Sequence, residues 1–270
     1  MQQFSVLMSV YKNDRPDFLC QALDSIFDQT LKPDEVVLVE DGALTPELYA
    51  VIEKYKSMYA EMQTVILEKN SGLGVALHEG LKHCKFELVA RMDSDDISNL
   101  DRFEKQMAFL ESHPEISLIS GYIEEFNDDP KKIVSTRTIP LQFDEIKKFL
   151  KKRNAINHVT VMFKKNAIID SGNYQSVPYF EDYDLWIRLI QKGYIVANIS
   201  DVLVKVRIGT DMIGRRHGFK YAGHELYFLK RQLKSGFISK TEYLKLVILR
   251  VPIRLLPKFM LKFIYKFLRK

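Results

Sequence analysis

The stretch FELVARMDSDD, residues 86–96, decides how this chain is read. Phe86 to Ala90 form an apolar run of strand length, and it ends in three carboxylates, Asp93, Asp95 and Asp96, within four positions. Like charges that close repel unless a cation lies between them, and a divalent metal is the usual solution. Side chains at i and i+2 of an extended segment share a direction, so Asp93 and Asp95 can share one Mg²⁺ or Mn²⁺ and leave coordination positions for phosphate oxygens. Hard oxygen donors without a neighbouring cysteine argue against zinc. The competing structural reading is a helix cap, supplied by Asp96 or Ser98.

Outward from this stretch, short β-rich runs alternate with helical periodicity. SVLMSV (5–10), EVVLVE (35–40), TVILE (64–68) and FELVARMD (86–93) read as strands. Residues 17–30, Pro46 to Tyr59 and Gly74 to His83 read as the helices between them. Runs such as VVLV are buried on both faces, which predicts a mainly parallel α/β sheet flanked by helices. Ligands of such sheets bind beyond the carboxyl ends of the strands. Polar residues recur at that edge: Ser9-Val10-Tyr11-Lys12-Asn13, Glu40-Asp41-Gly42, Glu68-Lys69-Asn70-Ser71-Gly72, and Arg91 through Asp96 with Ser94. Further on, 101–112 and 181–193 predict helices, and 116–126 and 157–163 predict strands. YIVANIS and DVLVKVRI predict a closing pair of strands, and NDDPKK (127–132) a turn.

Several of these positions carry two readings. Asp41 ends strand two and either begins a plain Asp-Gly turn or accepts a hydrogen bond from a nucleobase N–H. Asn70 to Gly74 opens a helix and offers backbone N–H groups to an anion, though glycine-rich helix starts are common. In FEDYDLW (180–186), Glu181, Asp182 and Asp184 either complement the helix dipole or supply a general base whose pKa rises through partial burial. Trp186 either stacks on a sugar ring or belongs to the core. His158 reads as a structural histidine. The run Arg215-Arg216-His217 either holds a diphosphate or is a solvated basic loop.

Composition narrows the classes. The 270 residues suit one globular domain with an appended tail. Cys20 and Cys84 lie in amphipathic helical patterns without metal spacing and read as buried thiols of a reducing compartment. No signal peptide is visible, which predicts a cytoplasmic protein. Residues 241–270 hold eight Lys or Arg against Glu242 alone, so the net charge of +5 is a C-terminal property. No stacking motif accompanies that charge, which argues against nucleic acid. The tail interleaves its basic residues with Leu, Ile, Phe and Tyr, with Pro252 and Pro257 expected to break it into short amphipathic segments. It reads either as an interfacial element on anionic lipid, peripheral on the inner membrane face, or as a terminal helix packed on the domain.

The ordered set SVLMSVYKND, VVLVEDG, NSGLGVALHEGL, ARMDSDDIS with DRFEKQ, and FEDYDLWIRL resembles the family 2 nucleotide-diphospho-sugar glycosyltransferases of the GT-A fold, over about residues 4–210. The resemblance implies a catalytic domain over 1–212, with a nucleotide-sugar half (1–100) and an acceptor half (101–212), and a helical basic extension over 213–270. It implies that Val10, Tyr11, Asp41, Asn70, Gly72, Arg91, Asp93 and Ser94 bind the nucleotide sugar, and that Asp93 and Asp95 hold Mn²⁺ or Mg²⁺. Asp182, beside Glu181, is then the base of an inverting transfer, with Trp186, His158, Arg215, Arg216 and His217 toward the acceptor and diphosphate. INHVTVMFKK, VRIGTDMIGRRHG and the tail are similar to bacterial O-antigen, capsule and amylovoran-type enzymes. Those enzymes commonly add glucose or galactose from a UDP-sugar to GlcNAc on a polyprenyl diphosphate. The chain lacks Q-x-x-R-W and spanning helices, which implies one sugar per acceptor. Glu40 stands where many members carry Asp. A sugar-phosphate nucleotidyltransferase would instead show G-x-G-T-R after strand one, and a silent sugar-nucleotide-binding protein would not need the acidic set intact.

Overall fold

The structure is a computed structural model and describes residues 2–209 and 217–256. The first half follows the predicted alternation: β1 (Phe4–Val10), α1 (Pro16–Phe27), β2 (Glu35–Asp41), α2 (Pro46–Met58), β3 (Met62–Leu67), α3 (Leu73–His83) and β4 (Leu88–Arg91). Then come β5 (Ile97–Ser98), α4 (Arg102–Ser112), β6 (Ile116–Phe126), β7 (Ile133–Arg137), α5 (Phe143–Leu150), β8 (Met162–Lys164), α6 (Lys165–Asp170), α7 (Glu181–Gln191) and β9 (Ile195–Arg207). Helices α8 (Phe219–Lys234) and α9 (Lys240–Leu255) follow. The described residues form two compact units. One runs to Ser176 and resumes over Glu181–Arg207; the other holds Val177–Phe180 and the residues after Arg207. The expected domain boundary at 212 falls in a segment outside the described residues.

The first unit is built on a sheet of order β3-β2-β1-β4-β8-β6-β9-β5, with β7 added to β6. β1 to β4 are parallel, as expected, and the second half mixes parallel β6–β9 with antiparallel β4–β8, β6–β8, β6–β7 and β5–β9. Alternate residues face opposite layers. Val6, Met8, Val36 and Leu38 join Leu19, Leu23, Leu48 and Ile52 of α1 and α2 in one core. On the other face Gly80 of α3 comes so close to Leu7 and Val39 that a Cβ there would sit 2.6 and 2.4 Å from them.

The chain runs from β1 outward to β2 and β3, then returns to β4 on the opposite side of β1. That reversal is a topological switch point, and it opens a crevice beyond the carboxyl ends of β1 and β4. The stretch quoted above ends there.

Local differences from the sequence reading have local causes. Asn157 to Phe163 is not one strand. Thr160 bonds back to the Asn157 carbonyl through its N–H (2.9 Å) and its Oγ1 (2.8 Å), which turns residues 158–160 into a 3₁₀ turn before β8 starts. The expected pair YIVANIS and DVLVKVRI is one continuous strand, β9, and a register shift against β6 at Gly121 and Tyr122 absorbs Ser200 and Asp201 without a turn. NDDPKK forms the turn of the β6–β7 hairpin. Pro252 does not interrupt the tail: α9 runs through it to Leu255, losing one main-chain hydrogen bond near its end. Pro257 lies outside the described residues.

At the site edge, Gly42 follows β2 with φ +83°, and a Cβ there would lie 2.5 Å from the Asn70 backbone nitrogen. Both the left-handed conformation and the contact exclude a side chain. Gly42→Ala is expected to cost about 2 kcal/mol or more, read as a lowered urea midpoint with unchanged m-value.

Candidate active site

The loops after β1 and β4 are tied together by a residue that sequence reasoning missed. Val10 ends β1 buried, and Tyr11 follows it exposed. The Asp14 carboxylate accepts the Tyr11 backbone N–H at 3.1 Å and the Ser94 hydroxyl at 2.8 Å. Burial raises its carboxyl, the Ser94 and Tyr11 bonds oppose that, and the Asp93 charge adds to the rise. The available signal was its position: Asp14 falls four residues beyond a strand, at the predicted ligand edge.

Arg91 is the last residue of β4 and is 2% exposed. Its guanidinium grips the Asp93 carboxylate in a two-pronged pair, Nη1 to Oδ2 at 2.6 Å and Nη2 to Oδ1. Asp93 itself stays one-third open to solvent. Asp96 is buried and accepts the Arg207 backbone N–H at 2.8 Å, which ties the loop to the end of β9. The cap reading of Asp96 and Ser98 therefore does not hold: Ser98 lies in β5, and α4 starts at Asp101 without a side-chain cap. Asp95 is exposed. Crowding by the protein around it and the like charges of Asp93 and Asp14 push its carboxyl up to about 6.

Among the described residues, no group of three or more His, Cys, Asp or Glu side chains is arranged to hold a metal. Asp93 and Asp95 still fit a divalent cation as two oxygen donors. Arg91 answers Asp93 but leaves Asp95, raised by burial and then by the charges of Asp93 and Asp14, without a close cation among the described residues, and phosphate and water oxygens would have to complete the shell.

At the end of β2, the Asp41 carboxylate accepts the N–H groups of Ser71 (2.7 Å) and Gly72 (2.9 Å), and the Asn70 amide donates to the Asp41 carbonyl at 3.3 Å. The expectation that this loop turns its backbone N–H groups toward an anion is corrected at Ser71 and Gly72, which are engaged by Asp41. Each Asp41 oxygen keeps one further acceptor position. Gly72 starts α3, and a Cβ on Gly74 would lie 2.8 Å from Glu181 Cγ. The start of α3 thus abuts the start of α7.

Within α7, Asp184 pairs with Arg188 at 2.8 Å, and Arg188 also donates to the carbonyls of Ser171 and Asn173. Asp184 is therefore framework. Asp182 accepts the Asn154 amide at 2.7 Å. The amide orientation follows from its other end, where Oδ1 accepts the Ile156 N–H at 3.2 Å, and Arg137 Nη2 holds the Asn154 carbonyl at 2.9 Å. Burial raises the Asp182 carboxyl, against the Tyr183 N–H, the Arg91 charge, Asn154 and Arg137.

His158 and Tyr174 complete the surroundings. His158 Nε2 shares a 2.9 Å hydrogen bond with the Tyr174 hydroxyl, and burial followed by the Arg91 charge holds the imidazole neutral. The Tyr174 hydroxyl is raised by burial, and both Asp182 and Asp93 act on it. Arg91, Asp93, Asp182, His158 and Tyr174 are thus within electrostatic reach of one another, although 91 positions separate Arg91 from Asp182 in the chain. Trp186 is 0% exposed and meets the His158 ring edge-on at 5.8 Å, so its sugar-stacking reading gives way to the core reading. His217 lies in the second unit, just before α8. Arg215 and Arg216 lie outside the described residues.

Residues 5–172 match the model of Glycosyl transferase family 2. The chain is 43% identical over 270 residues to the amylovoran biosynthesis glycosyltransferase AmsE of Erwinia amylovora, covering 99% of each. It is 38% identical to the UDP-Gal:alpha-D-GlcNAc-diphosphoundecaprenol beta-1,3-galactosyltransferase of Escherichia coli, covering 98% of this chain and 95% of that one. Among solved structures, the mannosyltransferase PcManGT of Pyrobaculum calidifontis, in complex with GDP-Man and Mn²⁺, superposes with a TM-score of 0.66 at 16% identity. The match covers 93% of this chain and 69% of that one. TarS 1-349 of S. aureus with UDP-GlcNAc gives 0.66 at 17% identity over 93% and 72%. At these identities the structures establish a shared GT-A fold.

The Asp95 carboxyl ionises less readily in the folded chain than at its ordinary 3.8, so its charge opposes folding above about pH 6 and not below about pH 3.8. In chelator, Asp95→Asn is expected to raise Tm at pH 7.5 by roughly 2–4 °C, solvent screening keeping the gain small, and to leave Tm unchanged at about pH 3. Thermal melts at the two pH values check this.

Proposed function

The chain belongs to glycosyl transferase family 2 and is a glycosyltransferase of surface-polysaccharide biosynthesis. From that premise we propose that it moves one hexose, glucose or galactose, from a UDP-sugar to a hydroxyl of a lipid-diphosphate-linked GlcNAc, with inversion. The galactosyltransferase relative, alike over nearly its whole length, supports this choice of donor and acceptor. The observation that carries the chemistry is the grouping of Asp93 and Asp182 around Arg91 and Tyr174. In this reading the nucleotide-sugar half is 1–100, the acceptor half 101–212, and the reaction takes place at the inner face of a membrane. Among the described residues, no helix is long and apolar enough to cross one.

The acceptor oxygen attacks the anomeric carbon while Asp182 takes its proton. The bond from that carbon to the diphosphate breaks, and UDP leaves with the bonding pair. Burial lifts Asp182 toward the proton affinity a base needs, and Asn154 points the carboxylate while favouring its ionised form. Arg91 fixes Asp93 and leaves its outer part open toward the nucleotide. Asp93 and Asp95 would hold Mn²⁺ or Mg²⁺, which supplies charge neutralisation at the departing diphosphate. Tyr11, Asp41 and Asn70 surround the base in this scheme.

A donor screen against a short-chain GlcNAc-diphosphate-lipid, scoring UDP release with and without Mn²⁺, tests the reaction; no product from any UDP-hexose would refute this substrate choice. Asp182→Asn is expected to lower turnover about 10³-fold with UDP affinity retained by calorimetry. Asn154→Ala should lower kcat about tenfold and move the acid limb of kcat/KM to higher pH, because the lost donor favoured the charged base. A purely structural Asn154 would leave that limb in place.

A further inference from the structure

Helices α8 and α9 form a hairpin that holds two arginines inward and leaves an apolar face outward. Glu225 of α8 is 0% exposed and receives two arginines from α9: Arg250 Nη2 at 2.5 Å and Arg254 Nε at 2.6 Å. Arg254 also lies over the Tyr221 ring, 4.9 Å from its centroid. Two of the cations of α9 therefore turn toward its neighbour. Four of its apolar residues turn outward: Leu244, Ile248, Leu249 and Leu255 are 58, 61, 64 and 43% exposed, and no residue of α9 is buried. An ordinary surface helix shows the opposite arrangement, and an outward apolar face of this kind marks an interaction surface.

We propose that the outer face of α9, centred on Ile248 and Leu249, inserts into the interfacial layer of an anionic lipid bilayer. Charge selects this occupant. After Glu242 the helix carries no acid, and its cations not held by Glu225, Lys240 and Lys245, are exposed, so a second copy of this face offers them no opposite charge. An anionic bilayer offers hydrocarbon to the leucines and opposite charge to the flanking cations, such as the exposed Lys240 and Lys245. A 16-residue helix is about 24 Å long and too polar to span, so it lies in the membrane plane. Glu225 sets its rotation by holding Arg250 and Arg254 on the inner side. The biological sense of this surface rests on the lipid-linked acceptor proposed above, but its physical basis does not.

Sedimentation of the full chain with phosphatidylcholine vesicles, with and without one-third phosphatidylglycerol, and with neither donor nor acceptor present, tests the surface separately from catalysis. Wild type should bind the anionic vesicles and not the neutral ones. Ile248→Glu with Leu249→Glu should weaken that binding at least about tenfold, with the circular dichroism melt and turnover on a short-chain acceptor unchanged. Ile66→Glu with Leu100→Glu, the same charge change at two exposed apolar positions of the first unit, should bind like wild type. Ile248→Trp should shift its emission to the blue on anionic vesicles and be quenched by brominated lipid, against a Trp186 that is already buried. Any of these results would overturn the proposal: no preference of wild type for the anionic vesicles, wild-type binding by the 248/249 variant, equal loss in the control, or a wild-type dimer that the 248/249 variant dissociates. An unquenched indole at 248 would do the same.

Discussion

The buried guanidinium of Arg91 is the constraint on which the site depends. A charge taken out of water at the end of a central strand costs several kcal/mol unless it meets an opposite charge in good geometry. Asp93, two residues later, supplies that charge through two parallel hydrogen bonds. The pairing fixes where the loop after β4 turns and which way Asp93 faces. Burial keeps His158 neutral and the same positive charge adds to that effect, while for Asp182 it offsets part of the rise that burial causes. One cation thereby acts on groups drawn from β4, the turn at 158 and α7.

Much of this was legible in the sequence because the first half alternates two periods cleanly. Strands buried on both faces write themselves as unbroken Val, Ile and Leu runs, and the polar residues after each run mark one edge. The parallel arrangement and the recurrence of Asp41 and Asp93 at that edge follow from such runs, whereas Asp182 was marked by an acidic helix start and by the family resemblance. The second half was less readable for specific reasons. β5, with two residues, and β8, with three, are too short to carry a period. The turn at 158–160 hides among β-branched residues because a threonine hydroxyl, not a propensity, makes it. β9 contains Ser200 and Asp201, which read as a break, yet the bulge opposite Gly121 carries the strand across them.

The tail shows how a correct composition can mislead about orientation. Basic residues every four positions suggest a cationic stripe facing lipid headgroups. A single buried acid on the neighbouring helix, Glu225, reverses the order by drawing Arg250 and Arg254 inward. No window of sequence around α9 contains that information, since Glu225 is 25 positions away from Arg250 and acts across the hairpin.

Carboxylates at the site edge divide by what they lack. Asp41 has two backbone donors, Asp96 has one and full burial, and Asp184 has an arginine four residues on; each is answered within the chain and holds elements together. Asp95 is left among like charges, and Asp182 is lifted by burial despite Asn154. Arg91 orients Asp93 without covering it. A fold that sought only stability would have paired or removed Asp95 and Asp182 and closed over Asp93. Their persistence together, at a switch point and against the self-consistency of the rest, fits the cation-bridged diphosphate and proton-accepting base proposed for this chain. The distinction rests on partners rather than on residue type, so it separates Asp182 from Asp184, two positions apart on one helix, where a motif alone treats them alike.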